Sequence, residues 1–224
     1  MTSDYDTLLR IVRDRRSIRS FRSDSIPQQL VEQMLEAARW APSAGNRQAY
    51  RLMVVASREK LAAMSAAVRA SVDSIRSTLR PSAKARADAY LDNFSHFDAA
   101  PLCIVSIYRA GVDLLGSSSE AASGESNAAA DVRRAESDAL CSVSAAIQNL
   151  LLGAHALGLG ACWMTGPLVA AEALERLLAV PRGWRISALI PIGYPVGVPP
   201  PPARRPLERL LILVDGAASE PQPR

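Results

Sequence analysis

The sequence predicts a protein of class α/β or α+β, built from one large domain or from one domain with an insertion. Its 224 residues are enough to bury a hydrophobic core without disulfides or metal ions. Hydrophobic residues make up 49% of the chain and charged residues 21%, as in ordinary globular proteins. Short apolar runs typical of buried strands also alternate with segments of helical periodicity.

The N-terminal third is predicted to contain three helices and one strand. Asp4 is placed to cap the first helix, in which four apolar residues share one face. Pro27 marks the start of a second helix, which ends in a loop at residues 40–46. A buried strand over 52–56 then leads to a helix over 57–70.

The rest of the chain continues the alternation of helices and strands. Residues 71–98 are polar and mostly helical in propensity, and residues 111–127 are rich in Ser, Gly and Glu, which favours a mobile loop. The remaining predicted elements are strands over 102–108, 160–164, 185–192 and 207–214, helices over about 131–157 and 169–179, and a stiff proline linker over 199–202.

One apolar stretch has two possible interpretations. No charged residue occurs between residues 139 and 171, so the stretch is a candidate membrane span. Polar Gln148, Asn149 and His155 interrupt it, however, and favour a helix buried in a soluble core. Together with an N-terminus that lacks an apolar signal segment and an odd number of cysteines, this indicates a cytoplasmic protein.

The sequence offers few side chains that could carry out chemistry by themselves. Two histidines and three unpaired cysteines do not form a metal-binding pattern, so no metal site is expected. We interpret His155 as a packed or hydrogen-bonded core residue and assign no role to His96. No nucleophile motif, phosphate loop or acid–base carboxylate pair stands out, so an enzymatic function would depend on a cofactor.

Three segments have compositions suited to ligand binding. RRSIRSF at residues 15–21 combines guanidinium groups and hydroxyls that match a phosphate, although it could also be a solvated helix end. PSAGNRQ at residues 42–48 could bind a flat polar ligand or could simply end a helix. GLGACWMTGP at residues 158–167 fails the dinucleotide-binding pattern because Trp163 stands where glycine is needed, but its backbone amides could face a ligand.

In this order, the three segments resemble the FMN-dependent nitroreductase family, as do FDAAPLCIVSIY at 97–108 and IPIGYP at 190–195. The resemblance implies an α+β three-layer sandwich, with a mixed, mainly antiparallel sheet flanked by helices, in an intertwined homodimer. It also implies one FMN-binding domain over residues 1–216, in which an arm over 199–216 reaches the partner subunit. A disordered tail would follow at residues 217–224.

The resemblance further implies a set of site residues. Those matching the phosphate and ring-edge contacts of FMN are Arg15, Arg16, Ser17, Arg19 and, late in the chain, Arg204 or Arg205. Those expected to approach the flavin from the partner chain are Pro42, Ser43, Asn46 and Gln48. Those whose backbone would face the flavin are Trp163, Met164, Thr165 and Gly166, with the Thr165 amide donating to flavin N5.

The expected activity is an NAD(P)H-driven, ping-pong reduction of nitroaromatics, quinones or similar conjugated electrophiles. NAD(P)H would be a transient electron donor and FMN the resident cofactor. Thr165 stands where many relatives carry Glu, so flavin fragmentation, dehalogenation or ring dehydrogenation remains an alternative. A basic binding module for nucleic acid is the third alternative, motivated by a net charge of +4, although the arginines form no stripe interleaved with aromatic residues.

Overall fold

The structure is a computed structural model that describes residues 3–109, 125–212 and 214. Four strands form one antiparallel sheet with the spatial order β1-β2-β4-β3. They are β1 (Tyr50–Val55), β2 (Leu102–Arg109), β3 (Gly160–Ala161) and β4 (Trp184–Gly193). Within the described residues, the one parallel pairing is a bridge between Ser17 and Ala161 at the outer edge of β3.

Six α-helices surround this sheet. They are α1 (Asp4–Asp14), α2 (Gln28–Arg39), α3 (Arg58–Thr78), α4 (Pro81–Leu91), α5 (Glu125–Ala156) and α6 (Ala171–Leu177). Short 3₁₀ turns connect several elements, at Ala44–Asn46, Asp92–Phe94, His96–Ala99, Gly166–Ala170 and Leu207–Arg209.

The sheet separates two hydrophobic cores, which confirms the expected three-layer α+β sandwich. Successive side chains of a strand point to opposite faces. Leu102 and Ile104 of β2 therefore pack with α2 and α5, while Cys103 and Val105 pack with α3 and α6 on the other face. All four side chains are buried, as expected for a central strand with both faces covered.

Helix α5 contributes the largest share of one core. Val143, Ile147 and Leu150 are fully buried in the cluster that α5 shares with α2 and the sheet. Its segment Val132–Ala156 is long and apolar enough to cross a membrane by length and composition, but 44% of its most apolar window is buried inside the molecule. Since α5 packs on α2 and the sheet, we interpret it as a core helix.

Several predicted boundaries differ from the observed ones. Ser3, and not Asp4, caps α1. The Ser3 hydroxyl accepts a hydrogen bond from the Asp6 amide, and the Asp6 side chain accepts one from the Ser3 amide, which together form a capping box. Helix α3 continues to Thr78, beyond the predicted end at residue 70. Helix α5 begins at Glu125, within the predicted loop 111–127, and most of that loop lies outside the described residues.

The predicted strands near the C-terminus are shorter or missing. Only Gly160–Ala161 of the predicted strand 160–164 pairs continuously, and Met164 adds a single bridge to Leu189. Residues 207–212 form a 3₁₀ turn and an exposed segment instead of a strand, and they pair with no strand among the described residues. The expected tail over 217–224 lies outside the described residues.

Candidate functional site

The segment that follows α1 lies along the outer edge of β3. The Ile18 amide donates to the Ala161 carbonyl at 3.0 Å, and the Ile18 side chain is buried. A little further on, the Arg22 amide donates to the carbonyl of Tyr194 at 2.8 Å. The basic segment 15–21 is thereby joined to both GLGACWMTGP and IPIGYP, which are distant in sequence.

A cavity of about 220 Å³ opens beside this junction. Its charged and titratable lining residues are Asp14, Arg15, Arg16 and His155, and most of the remaining wall is apolar or backbone. Arg15 and Arg16 are both half-buried there. Two adjacent guanidiniums in a partly enclosed cavity suit an anion with several oxygen atoms, such as a phosphate.

Arg16 has an unsatisfied donor at this place. Its Nη1 donates to the carbonyls of Arg13 and Arg15, which fixes the orientation of the guanidinium. Its Nε is buried and has no hydrogen-bond partner among the described residues. Leaving such a donor unpaired costs about 1–3 kcal/mol, a cost that an acceptor from outside the chain would offset.

His155 belongs to the same cavity wall, which the sequence did not indicate. It lies in the last turn of α5 and is half-buried. Burial lowers its pKa, and the positive charges of Arg15, Arg10 and Arg16 act in the same direction against the opposing effect of Asp14. These effects favour the neutral imidazole, which shares the cavity wall with Arg15 and Arg16.

Along residues 161–165, successive backbone amides point alternately towards β4 and away from it. Met164 exchanges both backbone hydrogen bonds with Leu189 at 2.9 Å, so its amide faces β4. Backbone amides of an extended chain alternate in direction, so the amides of Trp163 and Thr165 face away from β4. On that side the Ala161 carbonyl accepts a hydrogen bond from the Ile18 amide. The Thr165 amide has no acceptor within the described part of the chain.

The backbone at Gly166 depends on the absence of a side chain. A Cβ at Gly166 would lie 2.4 Å from the ring of Phe94, which is buried in the turn before β2. The 3₁₀ turn that follows, His96–Ala99, contributes His96 to a small space shared with Arg19 and Met164. The polar segment 71–98 therefore ends against the predicted flavin-facing segment.

The loop over residues 42–48 is folded tightly and lies elsewhere. Gly45, Asn46 and Gln48 all have left-handed backbones, with φ of 57°, 52° and 48°. The Ser43 hydroxyl accepts the Gln48 amide at 3.0 Å, and the Gln48 side chain donates to that of Asn46 at 3.2 Å. Left-handed residues other than glycine cost about 1–3 kcal/mol each and cluster at functional sites.

One chain does not bring all the predicted site residues together. The amide of Ala44 donates to Ser142 on α5, whereas the cavity beside Arg16 is lined by Leu151 and His155 of that helix. These positions are separated from Ser142 by about 14 and 20 Å along the helix axis. Arg204 and Arg205 are exposed on the C-terminal arm and form no ion pair with other described residues.

Comparison with known proteins identifies the family. Residues 12–194 match the model of the nitroreductase family. A protein of Bacillus subtilis named putative NAD(P)H nitroreductase YfhC is 24% identical, covering 91% of this chain and 92% of that one. The 5,6-dimethylbenzimidazole synthase of Rhodobacter capsulatus is 31% identical, covering 85% and 84%. The crystal structure of a putative nitroreductase in complex with FMN from Desulfovibrio desulfuricans has a TM-score of 0.64 at 27% identity, covering 96% and 98%.

Proposed function

The chain belongs to the nitroreductase family, and on this basis we propose that it is an FMN-dependent oxidoreductase that works as a homodimer. Electrons would come from NAD(P)H and pass to nitroaromatics, quinones or similar conjugated electrophiles. The observation that carries the proposal is a cavity lined by Arg15, Arg16 and residues 158–161. The same segment continues to Thr165, whose amide has no acceptor among the described residues.

The residues at this junction fit the two ends of FMN. Arg15, Arg16 and Ser17 would bind the phosphate, with Arg19 at the ring edge. The backbone of Trp163, Met164, Thr165 and Gly166 would lie against the ring. The solved relative that contains FMN supports this choice of cofactor. When bound, FMN supplies the hydride chemistry that this chain lacks among its own side chains.

The proposed task of the protein residues is binding, orientation and polarisation. The free Thr165 amide would donate a hydrogen bond to flavin N5, the atom that accepts hydride, and so tune its reactivity. The Gly166–Phe94 packing holds the backbone that carries this amide in place. Thr165 is exposed and uncharged, so it would place no carboxylate beside the flavin ring.

Two features support a homodimer with a shared site. Apolar side chains are exposed along the C-terminal arm, among them Leu207, Leu210 and Ile212, the last at 88% exposure. Covering them by a second copy would remove this apolar surface from water. The loop with Asn46 also lies too far from Arg16 in one chain, so we propose that Pro42, Ser43, Asn46 and Gln48 of the partner subunit complete each site.

The remaining parts of the proposal concern organisation and location. Residues 1–216 would form one domain, whose arm over 199–216 crosses to the partner and brings Arg204 or Arg205 to a phosphate. The arm begins beside the site, because the Val196 amide donates to the Ser20 carbonyl at 3.1 Å. We further propose a cytoplasmic location, supported by the packing of the apolar helix α5 within the core.

A second candidate function uses the same site for a different reaction of the flavin. The relative named 5,6-dimethylbenzimidazole synthase is 31% identical, and its name supports flavin fragmentation as the alternative. Thr165 is compatible with this alternative, since it departs from the glutamate of many nitroreductases.

A kinetic experiment decides between the candidates. FMN-loaded protein is supplied with NADH or NADPH and a panel of nitroarenes and quinones, first without oxygen. The proposed activity predicts acceptor-dependent oxidation of NAD(P)H with parallel double-reciprocal plots, as expected for a ping-pong mechanism. Acceptor-independent loss of flavin absorbance under oxygen would instead support fragmentation. No turnover in either case would contradict both functions.

A further inference from the structure

His155 lines the cavity beside Arg16 and has no part in the function proposed so far. It approaches from the end of α5, whereas Asp14, Arg15 and Arg16 come from the end of α1 and the segment after it. The ligand-facing space is therefore bounded by one imidazole, two guanidiniums and one carboxylate. Because Arg15 and Arg16 line this space from one element and His155 from the other, the space is suited to an anion in contact with both elements.

The charges around His155 oppose a second positive charge while the cavity holds no anion. Arg10, Arg15 and Arg16 face it from the N-terminal part of the chain, against the single carboxylate of Asp14. The cavity walls formed by residues 158–161, Pro195 and Val198 contribute no titratable group. A phosphate carries up to two negative charges, so its arrival would cancel the excess positive charge around His155.

We propose that His155 is a hydrogen-bond partner of the FMN phosphate and takes up a proton when the phosphate binds. This inference rests on the proposed function, since it assumes that FMN occupies the site. A neutral imidazole can already donate one hydrogen bond to a phosphate oxygen, and an imidazolium donates a stronger, charge-assisted one. A protonated His155 would also balance Asp14, the one group in the cavity that repels an anion.

The sign of the pH effect follows from these charges. Binding raises the pKa of His155, which burial and the arginines keep low in the free protein. Proton uptake occurs between the two pKa values, so the contribution of His155 to FMN affinity grows as the pH falls. The phosphate itself loses charge below about pH 6, which weakens binding to every variant alike. The ratio of two dissociation constants at one pH removes that common effect.

The test measures binding of FMN and of riboflavin, which lacks the phosphate, to flavin-free protein by fluorescence quenching. The variants are His155→Gln and, as a control, His96→Gln, which replaces the other histidine of the chain. At pH 6 we expect His155→Gln to weaken FMN binding about tenfold, and at pH 8.5 about twofold or less. Riboflavin affinity should change less than twofold at both values, which also shows that the variant is folded.

Each outcome bears on a different statement. Three results would overturn the role of His155. In His155→Gln, the affinities for FMN and riboflavin could fall equally, or the fall in FMN affinity could be the same at both pH values. In the control, His96→Gln could show the same pH-dependent fall in FMN affinity. In those cases tight FMN binding by the unsubstituted protein would leave the proposed function standing. If the unsubstituted protein binds neither flavin, the proposed function itself fails. If His155→Gln does not fold, His155→Asn is measured in the same way and must show the same pH-dependent, phosphate-specific loss.

Discussion

The Ile18 amide donates a hydrogen bond to the Ala161 carbonyl at 3.0 Å. This contact joins the basic segment after α1 to the strand that leads to Thr165, although more than 140 residues separate them in sequence. It places the guanidiniums of Arg15 and Arg16 and the free Thr165 amide on one connected edge of the sheet. The proposed FMN site extends along that edge.

Replacing Arg16 should weaken FMN binding more than removal of an ordinary surface arginine would. Arg16→Ala deletes a charge-assisted donor, and we expect a loss of about 1.5–3 kcal/mol in FMN affinity. Arg16→Lys keeps the charge but lacks the buried Nε–H, so it should recover only part of the loss. The measurement is FMN titration, with Arg182→Ala, in an exposed turn, as the matched control. Equal affinities for Arg16→Ala and Arg182→Ala would remove Arg16 from the site.

The exposed arm should hold the dimer together. Truncation before Leu207 removes the apolar residues that the single chain leaves exposed to water. The truncated dimer should therefore have a larger dissociation constant than the full-length dimer. Analytical ultracentrifugation over a dilution series measures this shift, and a chain ending at Gly216 serves as the control. If both chains have the same dimer dissociation constant, the arm does not cross to the partner.

Gly166 should tolerate no side chain, whereas Gly197 should. A Cβ at Gly166 would meet the Phe94 ring at 2.4 Å, while one at Gly197 would meet nothing within 4 Å. We expect Gly166→Ala to lower the free energy of unfolding by about 1–3 kcal/mol through overpacking, and to weaken FMN binding by moving the Thr165 amide. Denaturant unfolding and FMN titration measure these effects. Gly197→Ala should match the parent in both, and a neutral Gly166→Ala would contradict the close packing of Phe94 on this backbone.

The three cysteines should differ sharply in reactivity. Burial raises the pKa of the Cys103 thiol to about 12, so at pH 8 only about one molecule in ten thousand carries the reactive thiolate. Burial also raises the pKa of Cys162, whereas Cys141 is exposed on α5 of the single chain. Mass spectrometry after brief alkylation should find modification at Cys141 alone. Modification of native Cys103 at a comparable rate would show that the central strand opens readily to solvent.

The sequence predicted the fold where burial alone determines it. The strands around Ile104 and Leu189 are continuous apolar runs, and both were located to within one or two residues. The end of α3 was missed because it is stabilised by charges: Arg76 forms ion pairs with Asp88 and Asp92 beyond the helix, and no local pattern reveals such a partner. The described residues of the strand expected over 207–214 find no partner strand in the described part of one chain, and a strand needs a neighbouring edge.

The sequence pointed to the candidate site only through segments that contain several motif residues. The resemblance pointed to Arg16 and Thr165, and the structure lays their segments along one edge of the sheet. His155 and Phe94 were not assigned to the site, because each is a single residue in an apolar or polar segment and only tertiary packing brings it there. The loop with Asn46 is the part of the proposed site that would need a second subunit.

The central claim is that each FMN is bound by residues of two subunits, and mixed dimers test it most directly. One chain carries Arg16→Glu, and the other carries Asn46→Gly with Gln48→Gly, which removes two side chains while glycine accepts the left-handed backbone. Each variant alone should form dimers with two weakened sites. Dimers containing one chain of each kind can be isolated with two affinity tags. If each site is shared, both defects fall in one of the two sites, and the other site is made only of unsubstituted residues. Such a mixed dimer should therefore regain one tight FMN site. Mixed dimers that bind FMN no better than the two parents would contradict a site built from two chains.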